Sequence, residues 1–409
     1  MRKRIIYIIS VLLLFFQTIT GYAQELLPTL YDTLPFNNEI SLHGNIFEHS
    51  TSLNNEFARK FMFGGEISKD LSKKTYEKQK DYNRFGVGEY VSLEYRSGKS
   101  IFKKNENWSW MIGAADNFYI WGDYSSDLFG LAFLGNEPFL GKKLDLSNTY
   151  GRYERFLTVG GGFHNLKTKS YITLHAVLPI SFFDIDVEKG DLSFNQQGDE
   201  IKWNIDAEVN QSNPYPFFKG MGAAVNFGFN FNFGKPDAKF NGVLNITGRN
   251  IGFYYLNDAQ KTTIRTKDVF SGFALDDLFK ENVLENLKDT FQIETVQKGQ
   301  TKLLPGFIQI GKVATVHSSK KLQSIFGIRM YLNRSYKPML YAGIHYQPFE
   351  QFSLGAQGTF GGYGNFRVGL YASYHLENLL ISIGTEDILG AVLRSQLGHS
   401  ILLKVTWRF

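Results

Sequence analysis

The sequence predicts an all-β fold: a transmembrane, antiparallel, up-and-down β-barrel of about 14–16 strands with long outer loops, one of them containing a short helix. Three observations carry this expectation: apolar and polar residues alternate with period 2 over many segments, the long connections fall on one side, and the chain ends on an amphipathic strand closed by Phe409.

Taken from the start, Met1, Arg2, Lys3 and Arg4 precede apolar runs at Ile5–Ile9 and Val11–Phe16. A positive start followed by roughly 12 apolar residues is the pattern of a secretory leader and falls short of the ~20 residues that cross a bilayer. Gly21-Tyr22-Ala23 supplies a small-x-small cleavage pattern, so residues 1–23 are expected to be a signal peptide, with residues 24–409 forming one barrel domain. A buried N-terminal helix or an uncleaved anchor is the competing reading. Loss of Arg2, Lys3 and Arg4 would take the formal charge from +5 to +2. So neutral a chain carries no basic footprint for nucleic acid.

The chain holds no cysteine, which excludes disulfides, thiolate chemistry and a lipidated cysteine after the leader. It has 37 Phe, 22 Tyr, 5 Trp and 40 Gly, yet its mean hydropathy is −0.21. Aromatic girdles over a polar lumen reconcile those figures. No segment after the leader approaches the ~18 consecutive apolar residues of a membrane helix.

The wall pattern is clearest where Val225, Phe227, Phe229, Phe231 and Phe233 alternate with Asn226, Gly228, Asn230 and Asn232. A helix would repeat its apolar positions every three or four residues. The same alternation runs through Ile172–Phe182, through Phe326–Leu332 with Arg329 on the polar face, through Leu340–Tyr346 with His345, and through Phe366–His375 with Arg367 and His375. The polar faces are Asn, Ser, Thr, Gly, Tyr, His and Arg rather than Lys and Glu. That composition suits a confined interior better than open water.

About 16 candidate strands follow, centred on 40–47, 86–96, 108–121, 152–164, 170–183, 200–209, 221–233, 238–250, 262–271, 304–316, 322–332, 338–347, 351–360, 364–376, 378–385 and 399–409; the first and the pairs around 200 and 262 are the weakest, and dropping two gives 14, bacterial single-chain barrels having an even number. With the C-terminus on the inner side, the long connections 48–85, 122–151, 272–303 and 386–398 all become outer loops. The segments 210–220 and 251–261 become inner connections of awkward, medium length. Within 272–303, Leu275, Leu278, Phe279, Val283, Leu287 and Phe291 follow helical spacing, with Asp276, Asp277 and Glu281 near the start, where the helix dipole favours acids. Such a helix could lie over the barrel mouth or merely pack on neighbouring loops.

In the last strand Ile401, Leu403, Val405 and Trp407 face one way and Leu402, Lys404, Thr406 and Arg408 the other. Trp407 and the terminal Phe409 have the form of the signal read by the barrel assembly machinery. An edge strand in lipid must close onto the first strand to leave no unpaired main chain.

On Asp127–Ser147, Asn250–Tyr254, Lys302–Gly306 and Gly398–Phe409, the chain resembles a Bacteroidota outer-membrane barrel family that is distantly similar to long-chain fatty acid transporters and to the PorV-type shuttle protein of type IX secretion. The resemblance implies residence in the outer membrane. It also implies passage of a hydrophobic or amphipathic solute or, alternatively, an accessory role in a surface or secretion complex, with no catalytic pattern to carry over.

The residues themselves show no Gly-x-Ser-x-Gly elbow and no zinc-ligand spacing among the eight histidines. No catalytic residue, cofactor or metal is therefore expected. His345 and His375 face the lumen in strands separated by one other, either as a metal or proton pair or as hydrogen-bonded wall residues. Arg329, Arg367, Lys404 and Arg408, with Asn226, Asn230 and Asn232, also face inward. If they converge they suit a carboxylate or phosphate head; otherwise they form a salt-bridged filling. Gly160, Gly161 and Gly162 lie within a strand and suit curvature, with no Lys-Ser/Thr following to make a phosphate loop. The expected partners are outer-membrane lipid, the assembly machinery during insertion and a possible surface or secretion protein.

Overall fold

A computed structural model of the chain describes residues 30–32, 34–102, 107–234, 241–271, 292–316, 318, 320–393 and 395–409. The expected leader, His317 and the helix expected over Leu275–Phe291 lie outside the described residues.

The chain forms a closed antiparallel barrel of 14 strands. In chain order these are β1 (Asn38–Ser50), β2 (Tyr82–Ser97), β3 (Trp108–Ser125), β4 (Thr149–Asn165), β5 (Tyr171–Phe194), β6 in two segments (Glu200–Ser212 and Gly220–Phe233) and β7 (Gly242–Ser271). They continue with β8 in two segments (Gln292–Leu303 and Phe307–Val313), β9 (Leu322–Tyr331), β10 (Lys337–Phe349), β11 (Phe352–Gly362), β12 (Arg367–His375), β13 (Leu379–Thr385) and β14 (Gly398–Arg408). Closure is made by eleven pairs of β1 with β14, from Glu39↔Arg408 to His49↔Gly398. The Phe409 and Asn38 main chains exchange two hydrogen bonds of 2.9 and 3.0 Å, so the final residue seals the seam.

The structure settles the strand number by joining two pairs of expected strands. Segments near 200 and 221 are one wall strand, because the first pairs with the far half of β5 and the second with its near half. Segments near 238 and 262 are the single 30-residue β7. The awkward connection 251–261 is therefore strand, and 213–219 is an interruption within the wall. A second correction concerns the expected loop 272–303: Gln292–Leu303 is strand, paired with β7 from Arg265 to Phe253. The polar, glycine-containing stretch Gln297-Lys298-Gly299-Gln300 hides this strand from a reading based on apolar alternation.

The described long connections gather at the end opposite Asn38 and Phe409, and they are folded. Helix α1 (Asn55–Phe63) starts where the Asn54 side chain accepts from the Phe57 N–H, α2 (Lys69–Tyr76) where Ser68 accepts from Leu71, and α3 (Ser126–Leu134) where Ser125 accepts from Leu128. Each cap satisfies a donor that the first helical turn leaves open. Phe133 of α3 sits 4.8 Å from both Phe57 and Phe129, ring to ring, and fastens α1 to α3. The short α4 (Ile388–Val392) is capped by Asp387 and tied to Asn55, whose amide donates to the Gly390 carbonyl at 2.8 Å.

The wall is inverted relative to a water-soluble protein. Leu340, Ile344, Phe326, Ile328, Leu370 and Ile401 are exposed on the outside, whereas Arg329, His345, Gln357, Arg367 and Ser373 are buried inside. Exposed apolar side chains in a continuous outer belt are stable only against lipid. Inside, the wall gives room to its own rings: a Cβ on Gly355 would lie 2.0 Å from the Tyr371 ring, and one on Gly88 would lie 2.2 Å from Phe47. Each ring lies flat over a neighbouring strand at the one residue type without a side chain.

Candidate functional site

The lumen is divided across its middle by an aromatic layer. Phe47 of β1, Tyr119 and Trp121 of β3, Phe156 of β4, Phe307 of β8 and Tyr331 of β9 are all buried in one cluster. Tyr119 and Tyr331 stand on strands that are not neighbours in the wall, and their centroids are 6.5 Å apart, so the rings meet across the interior. Tyr336, in the turn after β9, lies 4.9 Å from Tyr331 and 5.0 Å from Tyr363, carrying the layer toward β11. On the loop side, Ser335 donates to Asp123, and Arg334 reaches Asp186 of β5 at 2.6 Å, folding the β9–β10 turn over the mouth.

Below this layer, toward the termini, a cavity of about 150 Å³ remains. Its roof includes Phe307, Arg249 and Arg329, and its floor is the N-terminal stretch Leu30, Tyr31, Asp32 and Phe36, which runs inside the barrel. That stretch is fastened at several points. The Tyr31 N–H donates to the Ala314 carbonyl at 2.9 Å, Arg408 bonds Asp32 at 2.6 Å, and Lys169 donates to the Leu34 carbonyl at 3.2 Å. The Lys169 ammonium also lies 4.4 Å over the Phe36 ring.

Six cationic side chains line the cavity (Arg96, Lys169, Arg249, Arg329, Lys404 and Arg408) against three acids (Asp32, Glu39 and Glu94). Arg408 bonds Asp32 and, through Nε at 3.1 Å, Glu39; Arg96 bonds Glu94 at 3.0 Å and approaches Glu39 at 3.9 Å. Arg96 and Arg408 thus reach all three acids, and the lining holds more cationic than acidic side chains. Arg249 and Arg329 also lie over aromatic faces. Arg249 stacks 4.2 Å over Tyr90, and Arg329 stacks 4.6 Å over Phe307 while its Nε donates to Gln309 at 2.8 Å. An aromatic face stabilises a cation without neutralising it, and cationic side chains outnumber the acids in the cavity lining.

The residues singled out from the sequence distribute unevenly. Arg329, Lys404, Arg408 and Asn230 line the cavity. Arg367 is buried at the loop end instead, donating to the Gly361 carbonyl at 3.2 Å and lying 4.0 Å from Glu386. His345 bonds the Tyr371 hydroxyl at 3.0 Å and His375 bonds Ser353 at 3.1 Å, each as a hydrogen-bonded wall residue. Among the described residues no group of three or more His, Cys, Asp or Glu is placed to hold a metal. Asn226 accepts the Asn250 N–H at 2.7 Å and stabilises a bend in β7, where Asn250 has φ +53°. Asn232 is exposed. Trp407 stacks on Phe409 at 4.5 Å beside the closing seam.

The sequence reading missed Arg96, Arg249, Lys169 and the acids Asp32, Glu39 and Glu94. Arg96 follows Tyr90, Ser92 and Glu94 at period 2, a signal that was present; the entry of Leu30–Phe36 into the lumen leaves no periodic trace.

No family model matches the chain, and no curated protein does. The resemblance to a Bacteroidota family is therefore unsupported by any match. Among solved structures, the chain is similar to the toluene transporter TodX of Pseudomonas putida at 10% identity and a TM-score of 0.34, covering 91% of this chain and 89% of that one. A TodX deltaS2S3 mutant monoaromatic hydrocarbon channel gives 11% identity and a TM-score of 0.42 over 92% and 91%. The translocator domain of the autotransporter NalP from Neisseria meningitidis gives 11% and 0.31 over 93% and 91%. At these values the likeness assigns no substrate.

Proposed function

We propose that this barrel resides in the outer membrane and transports a small amphipathic anion, with the lumen cavity as the site that holds the carboxylate or phosphate head. The observation that supports the reading is the lumen cavity, lined by six cations against three acids and with aromatic faces at its roof and floor. A cavity of about 150 Å³ accommodates a head group and a few carbons, since a liquid water occupies about 30 Å³. Positive charge in such a cavity concentrates anions, and guanidinium forks suit both heads. On this reading the described arrangement is the closed one, and movement of the solute requires the aromatic layer or the N-terminal floor to shift.

The test is titration of the purified full chain with hexanoate, hexyl phosphate and hexanol. The anions should bind at least about tenfold more tightly than hexanol, equivalent to ~1.4 kcal/mol. The double substitution R329A/K404A should abolish the difference. Equal binding of the alcohol and the anions, or anion binding indifferent to that substitution, would overturn the assignment.

A second reading, a plugged anchor for a surface or secretion complex, is favoured by the aromatic contacts across the lumen. It predicts no passage of hexanoate into proteoliposomes, including with the layer opened by Y119A/Y331A, whereas the transport reading predicts a faster influx in that variant.

A further inference from the structure

The first segment of β8, Gln292–Leu303, pairs with β7 along one edge. Its other edge has no strand beside it among the described residues. The second segment of β8 takes up β9 from Lys312↔Phe326 to Phe307↔Tyr331, and β9 stops at Tyr331. Beyond that point twelve residues of β8 continue as the margin of a sheet built from β5, β6, β7 and β8. The change of medium is written in the side chains. Ile308 and Ile310 point outward in the paired segment, while Glu294, Thr295, Val296, Gln297 and Lys298 are exposed in succession, on both faces of the strand. Among the described residues nothing covers Glu294–Lys298 on either face, so this part of the margin stands in water above the lipid belt, whereas lower down Lys302 bonds Asp184 and the Leu303 carbonyl accepts from Arg152.

An edge of this kind offers main-chain donors and acceptors to any extended chain, and natural proteins blunt such edges with proline, bulges or charge. Here no proline interrupts 292–303, and a single register shift lies between Lys298 and Gln300. Glu294, Val296 and Lys298 share one face at successive strand positions. An antiparallel strand complementary to them reads, in its own direction, acidic-x-apolar-x-basic: an acid opposite Lys298, a β-branched residue opposite Val296 and a base opposite Glu294.

We propose that Gln292–Leu303 is a docking edge that accepts an extended segment of a partner protein by β-strand addition, with that charge pattern selecting it. The proposal is independent of the transport reading. A second copy of this chain fits the edge poorly. Two copies in one membrane share their orientation, so a two-fold axis along the membrane normal brings the edges together parallel, with Glu294 beside Glu294 and Lys298 beside Lys298.

The chain lacks cysteine, so V296C gives a single thiol for trapping. The probes are two blocked peptides, Thr-Asp-Thr-Cys-Thr-Lys-Thr and its charge-reversed form Thr-Lys-Thr-Cys-Thr-Asp-Thr, presented to the full-length barrel in lipid nanodiscs under thiol–disulfide exchange. The charge-matched peptide should be trapped roughly fivefold more than the reversed one, as two opposite-charge cross-strand pairs allow. The double substitution E294K/K298E in the V296C background should reverse the preference. N-methylation of the peptide main chain should abolish trapping, a readout that a merely electrostatic contact would not move. Equal trapping of the two peptides, trapping insensitive to N-methylation, or self-association that E294K/K298E dissolves would each overturn the proposal, the last by assigning the edge to a second copy.

Discussion

The wall has two halves of different character. Strands β9–β14 are 7 to 13 residues long and are joined by short turns at the terminal end. Strands β4–β8 include one of 24 residues and one of 30, two that are interrupted, and bulges at Arg155/Phe156, Val187/Lys189 and Val225/Phe227. At about 3.3 Å per residue a 30-residue strand is near 100 Å long, far beyond an apolar belt of ~25 Å even when tilted. The first half ends where the lipid ends; the second rises out of it. Lipid imposes one apolar face on every strand, and water imposes nothing comparable.

That difference can be tested, beginning with the largest effect. Arg408, on the last strand of the regular half, holds Asp32 and Glu39 with both pairs largely buried. Breaking a buried pair strands its partner's charge, so R408A should cost roughly 3 kcal/mol and release Leu30–Phe36 to protease, read by limited proteolysis and by urea unfolding. A gel showing that stretch still protected would separate the floor from this ion cluster.

Next come two glycines with similar overlaps and opposite expectations. A Cβ at Gly355 meets the Tyr371 ring at 2.0 Å, and one at Gly299 meets the Tyr255 hydroxyl at 1.7 Å. Tyr371 is buried between strands and bonded to His345, whereas Tyr255 is 47% exposed and its tip can swing away. G355V should destabilise by about 2–3 kcal/mol and G299A by less than about 0.5 kcal/mol, both measured as shifts in urea midpoint. Equal losses would erase the distinction between a packed wall and a free margin.

A smaller effect concerns the loop end of the regular half. Glu386 follows β13 and lies 3.2 Å from His49 and 4.0 Å from Arg367. Burial pushes its carboxyl up to about 8, with Arg367 and Arg329 opposing and Asp387 adding to the rise. An acid whose folded pKa is raised contributes full stability below its unfolded value and loses it as pH climbs through the folded one. Amide exchange in α4 should therefore accelerate between about pH 4.5 and 8, and E386Q should flatten that dependence; an unchanged slope in E386Q would assign the titration elsewhere. The smallest effect is E294K/K298E, whose exposed side chains should leave stability within about 0.5 kcal/mol.

The same contrast explains what could be read from the amino acids. In β9–β14 the inward positions of Arg329, His345, Arg367, His375, Lys404 and Arg408 follow from period 2, because each has an apolar neighbour facing lipid. In β5–β8 the rule lapses above the belt, so the upper part of β8 reads as loop and β6 and β7 read as two strands each. Period 2 also reports a face and never a height. Arg329 and Arg367 share the inward face, yet the first lines the cavity and the second binds the loop end. Convergence depends on register between strands, and single segments carry no record of it. The aromatic layer across the lumen was equally hidden, since Tyr119 and Tyr331 become neighbours only when the sheet closes.

The ions on the floor of the cavity come from the two extremes of the chain: Asp32 and Glu39 at one, Lys404 and Arg408 at the other. Until the final strand joins the first, this chamber does not exist, and an open, curled sheet has neither its charge balance nor its floor. On the transport reading, a solute bound there would act as a fastener across the last joint to be made.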